Sequence, residues 1–298
     1  MTKKNDPKNM LISRKYSRRS PFGEIWHRLL KNKSAVVGLI ILVLLFIMAL
    51  YSLLFIEYTS VTLMNSSERL QKPSILHPFG TDEMGRDMFL RVVYGSQYSV
   101  VIGFGSIAIA LFVGLVLGAF AGYYGGLVDD VITRISDIIA SIPPMLLGMV
   151  IVSVLGASLI NLIIAVGCTS ISGFIRMTRS SVMTVRSQEF IESAKAIGMS
   201  NVKIIFNQVV PNGLSPVIVT TTARMGTAIL SAAGLSFLGF GVPVPRPEWG
   251  ALISAGRVYI RTAGYLTFFP GLMIMLIVLG FNLMGNGLRD ALDPKLKQ

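Results

Sequence analysis

The residues able to do chemistry in this 298-residue chain are few and far apart. The single cysteine, Cys168, sits inside an apolar run, which excludes an internal disulfide or a thiolate cluster and assigns it to packing. His27 and His77 are widely separated, neither has metal-ligand spacing around it, and both read as surface or interface residues. There is no Gly-x-x-x-x-Gly-Lys-Ser/Thr phosphate loop, no Ser/His/Asp set and no cofactor fingerprint. The chain therefore has no visible means of hydrolysing ATP or of acting as an enzyme alone. What remains is recognition chemistry in three places: Arg224 inside an apolar run, the stretch HPFGTDEMGRD at 77–87, and the polar segment EFIESAKAIGMSNVKIIFNQVVP from Glu189 to Pro211.

The elements that must position these residues are membrane helices. The chain is 52% hydrophobic and 14% charged, with a mean hydropathy of +0.66, too apolar for an ordinary soluble domain. Crossing about 30 Å of hydrocarbon takes roughly 20 apolar residues as a helix. Six runs meet that length: Ala35 to Ile56, Ser99 to Tyr123, Ile132 to Val154, Leu159 to Met177, Leu214 to Gly239, and Leu266 to Leu288. Lys3, Lys4, Lys8, Arg14, Lys15, Arg18, Arg19, Arg28, Lys31 and Lys33 precede the first run, so the positive-inside bias places the N-terminus in the cytoplasm, and an even number of spans returns the C-terminus there. Arg176, Arg179, Arg186, Lys195 and Lys203 around the polar segment, and Arg289, Lys295 and Lys297 in the tail, agree with that topology. The first run is too long for a signal-peptide core and lacks a cleavage pattern, so it reads as a retained span. The net charge of +12 is spread over membrane flanks, which favours lipid headgroups over nucleic acid.

The chain divides into a basic N-terminal region at 1–34, a first span at 35–56, an external loop at 57–98, a membrane core at 99–289 that includes the polar loop at 186–212, and a cytoplasmic tail at 290–298. In the first region Phe22, Ile25, Trp26, Leu29 and Leu30 recur at helical spacing among basic residues, which predicts an amphipathic helix on the inner membrane surface. In the external loop, Gly80 and Gly85 permit tight turns and Asp82 is placed to cap a helix. On that helix Met84, Met88, Val92 and Val93 share one face, with Asp87 and Arg91 as an i, i+4 pair on another. Gly114, Gly118 and Gly122 clear one side of the second span for close helix packing. Pro143-Pro144 bends or breaks the third. Trp249 reads as an interfacial anchor. Arg224, about ten residues into the fifth span, must face protein or water. It either lines a path or makes a structural pair with Asp137 or a backbone carbonyl.

In the polar segment, good helix formers before Gly198 predict a short helix that ends in a left-handed turn, followed by a second helix from Asn201 to Val210 that stops near Pro211. Such a knob suits a groove on a partner. Glu192, Ser193, Ala194, Gly198, Gln208, Val210 and Pro211 resemble the EAA loop of ATP-binding-cassette importer permeases, with Ser193 in place of the second motif residue, an alanine, and Gln208 in place of an isoleucine, shifting the later apolar contact to Val209. HPFGTDEMGRD resembles the HPLGTDxLGRD signature of one permease of dipeptide, oligopeptide and nickel importers. Gly234 to Gly239, Pro247 to Gly250 and Gly287 to Pro294 resemble the same family in the same order.

The resemblance implies an all-α, six-helix, type I importer permease in a bacterial or archaeal cell membrane, paired with a second permease and two ATPase subunits that carry ATP and Mg, and served by an extracytoplasmic substrate-binding protein. It binds no cofactor itself. Glu189, Glu192, Ser193, Ala194, Ala196, Ile197, Gly198, Met199 and Pro211 are then the ATPase-coupling residues. Gly80, Asp82, Gly85, Arg86, Asp87, Glu248 and Trp249 form the outer mouth where the binding protein docks, while the two readings of Arg224, lining the path or making a structural pair, stay open. The implied cargo is a short peptide, with nickel or another small solute as the alternative. An ion-coupled secondary transporter or a non-transporting receptor or scaffold are the readings of a different class. Uptake driven by an ion gradient without an ATPase marks the first of these, and partner binding without any effect on uptake marks the second.

Overall fold

A computed structural model describes residues 21–292, so the basic residues before position 21 and the lysines of the tail lie outside the described residues. Twelve helices are followed here: α1 (Pro21–Lys31), α2 (Lys33–Phe55), α3 (Tyr58–Thr62), α4 (Met88–Tyr124), α5 (Gly126–Ser141), α6 (Pro144–Leu155), α7 (Leu159–Arg186), α8 (Glu189–Ala196), α9 (Asn201–Ile204), α10 (Val210–Phe237), α11 (Trp249–Gly256) and α12 (Tyr265–Leu292). Among the described residues there is no named strand, only an isolated bridge between Thr81 and Asp87.

Among the described residues, five helical stretches are long and apolar enough to cross a membrane: α2, α4, α7, the Asn201–Phe237 stretch and α12. The expected third span is two helices, α5 and α6, meeting at a bend of 90°. Pro143 lies in that break, where its missing N–H and its effect on Ile142 prevent a continuous helix.

Close packing between α4 and α7 organises the bundle. A Cβ on Gly114 would lie 2.3 Å from Cβ of Phe174, one on Gly118 2.7 Å from Cβ of Thr178, and one on Gly122 2.9 Å from Cβ of Val182. The contacts climb together in sequence, so α4 and α7 run parallel, and α5 and α6 carry the chain back between them. Gly114→Leu forces overlap at a contact that cannot yield, and should destabilise the protein by about 2 kcal/mol or more, read as lost thermal stability in detergent. By contrast, α12 runs antiparallel to α2, with Gly38 against Gly280 and Gly287 against Ala35.

The α1 face splits. Ile25 and Leu29 pack with Ala35, Leu288 and Ala291, whereas Trp26 and Leu30 stay exposed. Asn32 Nδ2 donates to Asp290 Oδ2 at 3.0 Å, so the first and last described helices meet at one end of the bundle.

Several sequence expectations change. The helix in the external loop is not separate: it starts at Met88 and continues as the second span, with Met88, Val92 and Val93 buried and Met84 outside it. Its cap is Asp87, which accepts from the Leu90 amide at 2.9 Å, not Asp82. The helix after Gly198 does not stop at Pro211 either. A wide π-turn over Ile205–Val209 joins α9 to α10, and Pro211 falls in the first turn of α10, where a missing N–H costs little.

Candidate functional site: a helical knob, a charged loop and a cleft

The knob is built on α8. Ile191 and Ala194 are buried against Ala119, Tyr123, Val182 and Val185, and Val209 is buried in the same cluster. At its end the Met199 amide donates to Ala194 O at 3.1 Å and the Gly198 amide to Lys195 O at 2.9 Å, with Gly198 at φ +81°. This is a Schellman ending, and Met199 packs beside Ala194 as that motif favours. Tyr123 Oη donates to Asn201 Oδ1 at 3.0 Å, and the Lys195 ammonium lies 5.5 Å from the Tyr123 ring centre. The other face is open: Glu189, Glu192, Ser193, Ala196 and Gly198 are exposed, Phe190 is 38% exposed and Ile197 is 79% exposed. The knob thus has one face fixed to the bundle and one face, mixed acidic and apolar, turned away from it.

The loop expected to form the outer mouth wraps a charge cluster. Asp82 Oδ1 accepts from the Met84 and Arg86 amides, both at 2.9 Å. Its Oδ2 faces Arg86 Nε at 2.7 Å and Arg91 Nε at 3.4 Å. Arg91 also donates to Val61 O at 3.2 Å, so its acidic partner is Asp82 rather than the expected Asp87. Asp87 faces His77 Nδ1 at 2.7 Å, while Glu68 lies 3.6 Å from His77 Nε2. His77 is therefore a half-buried, paired residue, not a free surface one. Gly85, at φ +72°, brings the loop against Asn65, whose carbonyl oxygen would sit 1.8 Å from an added Cβ. Phe79 stacks on Phe269 with ring centres 3.8 Å apart, and Tyr265 Oη donates to Thr81 O at 3.0 Å, fastening the loop to α12.

Glu248 and Trp249 are wholly internal. Glu248 caps α11 by accepting from the Gly250 and Ala251 amides at 2.9 and 3.0 Å, and burial pushes its carboxyl above the usual range against the pull of those amides. Trp249 is fully buried and donates from Nε1 to Val92 O at 2.9 Å, so it is a core residue and not an interfacial anchor. The depth of the pocket explains this: Gly95 has no room for a Cβ, with Pro247 O at 2.0 Å, and the α11 loop closes directly on α4. Trp249→Phe should cost about 1–2 kcal/mol and Trp249→Ala about 3–5 kcal/mol, measured as thermal stability of the purified protein.

Beside the knob, α7 and α10 bound a cleft of about 500 Å³ lined by Ser180, Ser181, Thr184, Asn212, Ser215 and Thr220, together with Gln188, the cap of α8, and Arg289. Arg224 lies one turn beyond Thr220 on α10. It does not pair with Asp137, which faces Arg176 at 3.9 Å. Its guanidinium lies against Gly173 and 5.7 Å from the Phe174 ring centre.

Residues 114–298, more than half of the chain, match the model of the family described as binding-protein-dependent transport system inner membrane component. The chain belongs to that family. Residues 20–73 match a second model, the N-terminal TM domain of oligopeptide transport permease C. The chain is 48% identical over 282 residues to the dipeptide transport system permease protein DppC of Alkalihalophilus pseudofirmus, covering 95% of this chain and 92% of that protein. It is 40% identical over 279 residues to the glutathione transport system permease protein GsiD of Escherichia coli O157:H7, covering 94% and 92%. An inward-facing structure of the MetNI methionine ABC transporter matches with a TM-score of 0.56 at 18% identity, over 69% of this chain and 98% of that chain, a likeness of fold.

In this inner membrane component the sequence-derived residues gather in two places. Glu189 to Met199 form one continuous knob, and Pro211 sits beyond the π-turn. Gly80 to Asp87 form one loop, on which Asp82 and Arg86 are buried, while Glu248 and Trp249 are buried under the α11 turn. Direct contact with a docking protein is closed to those four side chains here; they hold the mouth in shape. Sequence reasoning missed Tyr123, Asn201, Glu68 and the Asp129–Arg179 pair, in which Nε and Nη2 of the guanidinium donate to the two carboxylate oxygens. Their separations along the chain leave no local spacing to read.

Proposed function

We propose that this chain is one permease subunit of an ATP-driven importer of short peptides, forming half of the translocation path beside a second permease. Two separate ATPase subunits grip the α8 knob, and an extracytoplasmic binding protein delivers cargo at the outer mouth. The observation that carries this reading is the knob: a short helix rigidly seated on one face, with Ile197 and Phe190 presented on the other. Exposed apolar side chains on a fixed helix suit a groove in a partner. Identity with dipeptide and glutathione permeases over nearly the whole chain supports a peptide cargo.

The same geometry supports a six-crossing topology with both described ends on one side. Supporting six crossings are the parallel α4 and α7, which require α5 and α6 to return across the bilayer, and the Asn32–Asp290 bond, which puts the two described ends on one side. The basic residues flanking the first span and the knob favour the cytoplasm for that side.

The test is uptake of a labelled dipeptide by cells with this chain intact or deleted, with excess nickel as competitor and with ATP depleted. Uptake lost on deletion and on ATP depletion, and indifferent to nickel, is the expected result. Peptide uptake unchanged by deletion moves the cargo to nickel or another solute, and uptake surviving ATP depletion refutes the importer itself.

A further inference from the structure

Arg224 sits near the middle of α10, where an unneutralised charge facing lipid is costly. Its guanidinium makes no hydrogen bond or ion pair among the described residues, so none of its five N–H donors is used there. What holds it is packing: the absence of a side chain at Gly173 lets the guanidinium lie directly on the α7 backbone, where a Cβ would be 2.2 Å from Nη2, and the buried Phe174 ring supports it from below. A second cation, Arg176, stands one turn along α7 from Gly173, with its side chain 57% exposed and only a long 3.9 Å approach to the exposed Asp137. Along α7 and α10 the two arginines follow closely on the hydroxyl-lined cleft: Met177, next to Arg176, and Thr220, one turn before Arg224, belong to its lining.

We propose that Arg224, assisted by Arg176, binds the C-terminal carboxylate of the peptide as it passes, so that the path itself favours cargo with a free carboxyl end. This rests on the peptide-permease reading. A planar guanidinium fork matches a carboxylate with two parallel hydrogen bonds, and a half-buried site backed by Gly173 and Phe174 screens them less than open water does. The depth of Arg224 in its helix argues against a lipid phosphate, which stays at headgroup level. Asp137, the carboxylate expected to pair with Arg224, faces Arg176 instead.

The test uses the full importer, reconstituted with its partner permease, ATPases and binding protein in phosphatidylethanolamine/phosphatidylglycerol vesicles. ATP-driven uptake of labelled dialanine is compared with that of dialanine amide, each at a concentration saturating the binding protein, so that translocation rather than capture is read. The unaltered importer is expected to move the free acid about tenfold faster or more, the effect of one charge-assisted pair of hydrogen bonds. Arg224→Gln is expected to bring that ratio close to one by slowing the acid, and Arg224→Lys to restore part of it. Equal rates for acid and amide in the unaltered importer overturn the proposal without any variant. A ratio unchanged in Arg224→Gln overturns it too, as does loss of the second permease from the purified Arg224→Gln complex, which marks a structural pair between subunits. Failure of the unaltered importer to move either peptide with ATP refutes the peptide reading instead, and is told apart by that control.

Discussion

Ile197→Asp is expected to uncouple the ATPases while leaving the permease folded. Ile197 is the most exposed apolar side chain of the knob, at 79%, and touches nothing that the bundle needs. Its placement beside Gly198, on a turn fixed by two backbone hydrogen bonds, gives it the character of an anchor for a partner's pocket. A charge in such a pocket costs on the order of 2 kcal/mol or more, about a thirtyfold loss of affinity. Copurification of ATPase and peptide uptake should both collapse, with membrane abundance and thermal stability unchanged. Ile191→Asp, on the buried face of the same helix, should do the reverse and lower abundance first. Full ATPase copurification with Ile197→Asp overturns the coupling assignment.

Asp82→Ala should prevent the outer mouth from folding. Asp82 is buried with Arg86 and Arg91, and its carboxylate answers both guanidiniums and two loop amides. Removing the acid leaves two buried cations facing one another with only Glu83 at 3.4 Å from Arg86. Breaking a buried pair in this way costs about 3–5 kcal/mol. Asp82→Asn keeps an oxygen for the amides but no charge, so it should lie between the two. Thermal unfolding of the purified protein and protease sensitivity of the 57–98 loop measure the effect. An Asp82→Ala protein as stable as the parent shows that water reaches the cluster and screens it.

The membrane helices were legible because crossing hydrocarbon demands long apolar runs, and α2, α7, α10 and α12 overlap the runs read from the sequence. Gly114, Gly118 and Gly122 announced a close contact, although not that α7 would be the partner or that the pair would be parallel. The α5–α6 break was visible only as Pro143-Pro144; its 90° angle depends on how α6 packs against α7 and α10. The outer mouth was read least well. Spacing along one helix suggested Asp87 with Arg91, whereas the folded loop brings Asp82 to Arg91 and His77 to Asp87, contacts set by the turns at Gly80 and Gly85. Trp249 illustrates the same limit: an aromatic near a membrane edge reads as an anchor until the glycine at position 95 admits it to the core.

The continuous α4 has a mechanical meaning. It begins at the cap Asp87, which grips His77 in the mouth, and ends at Tyr123 and Tyr124, where Tyr123 is bonded to Asn201 beside the knob. Its 37 residues make a rod about 55 Å long at 1.5 Å per residue, stiffened along its inner half by the glycine-tight seam with α7. One continuous helix thus joins the His77 loop to the knob with no relay of side chains between them. A tilt imposed at the tyrosine end reappears at the His77 end as a displacement of the mouth, scaled by where along its length the rod is pinned.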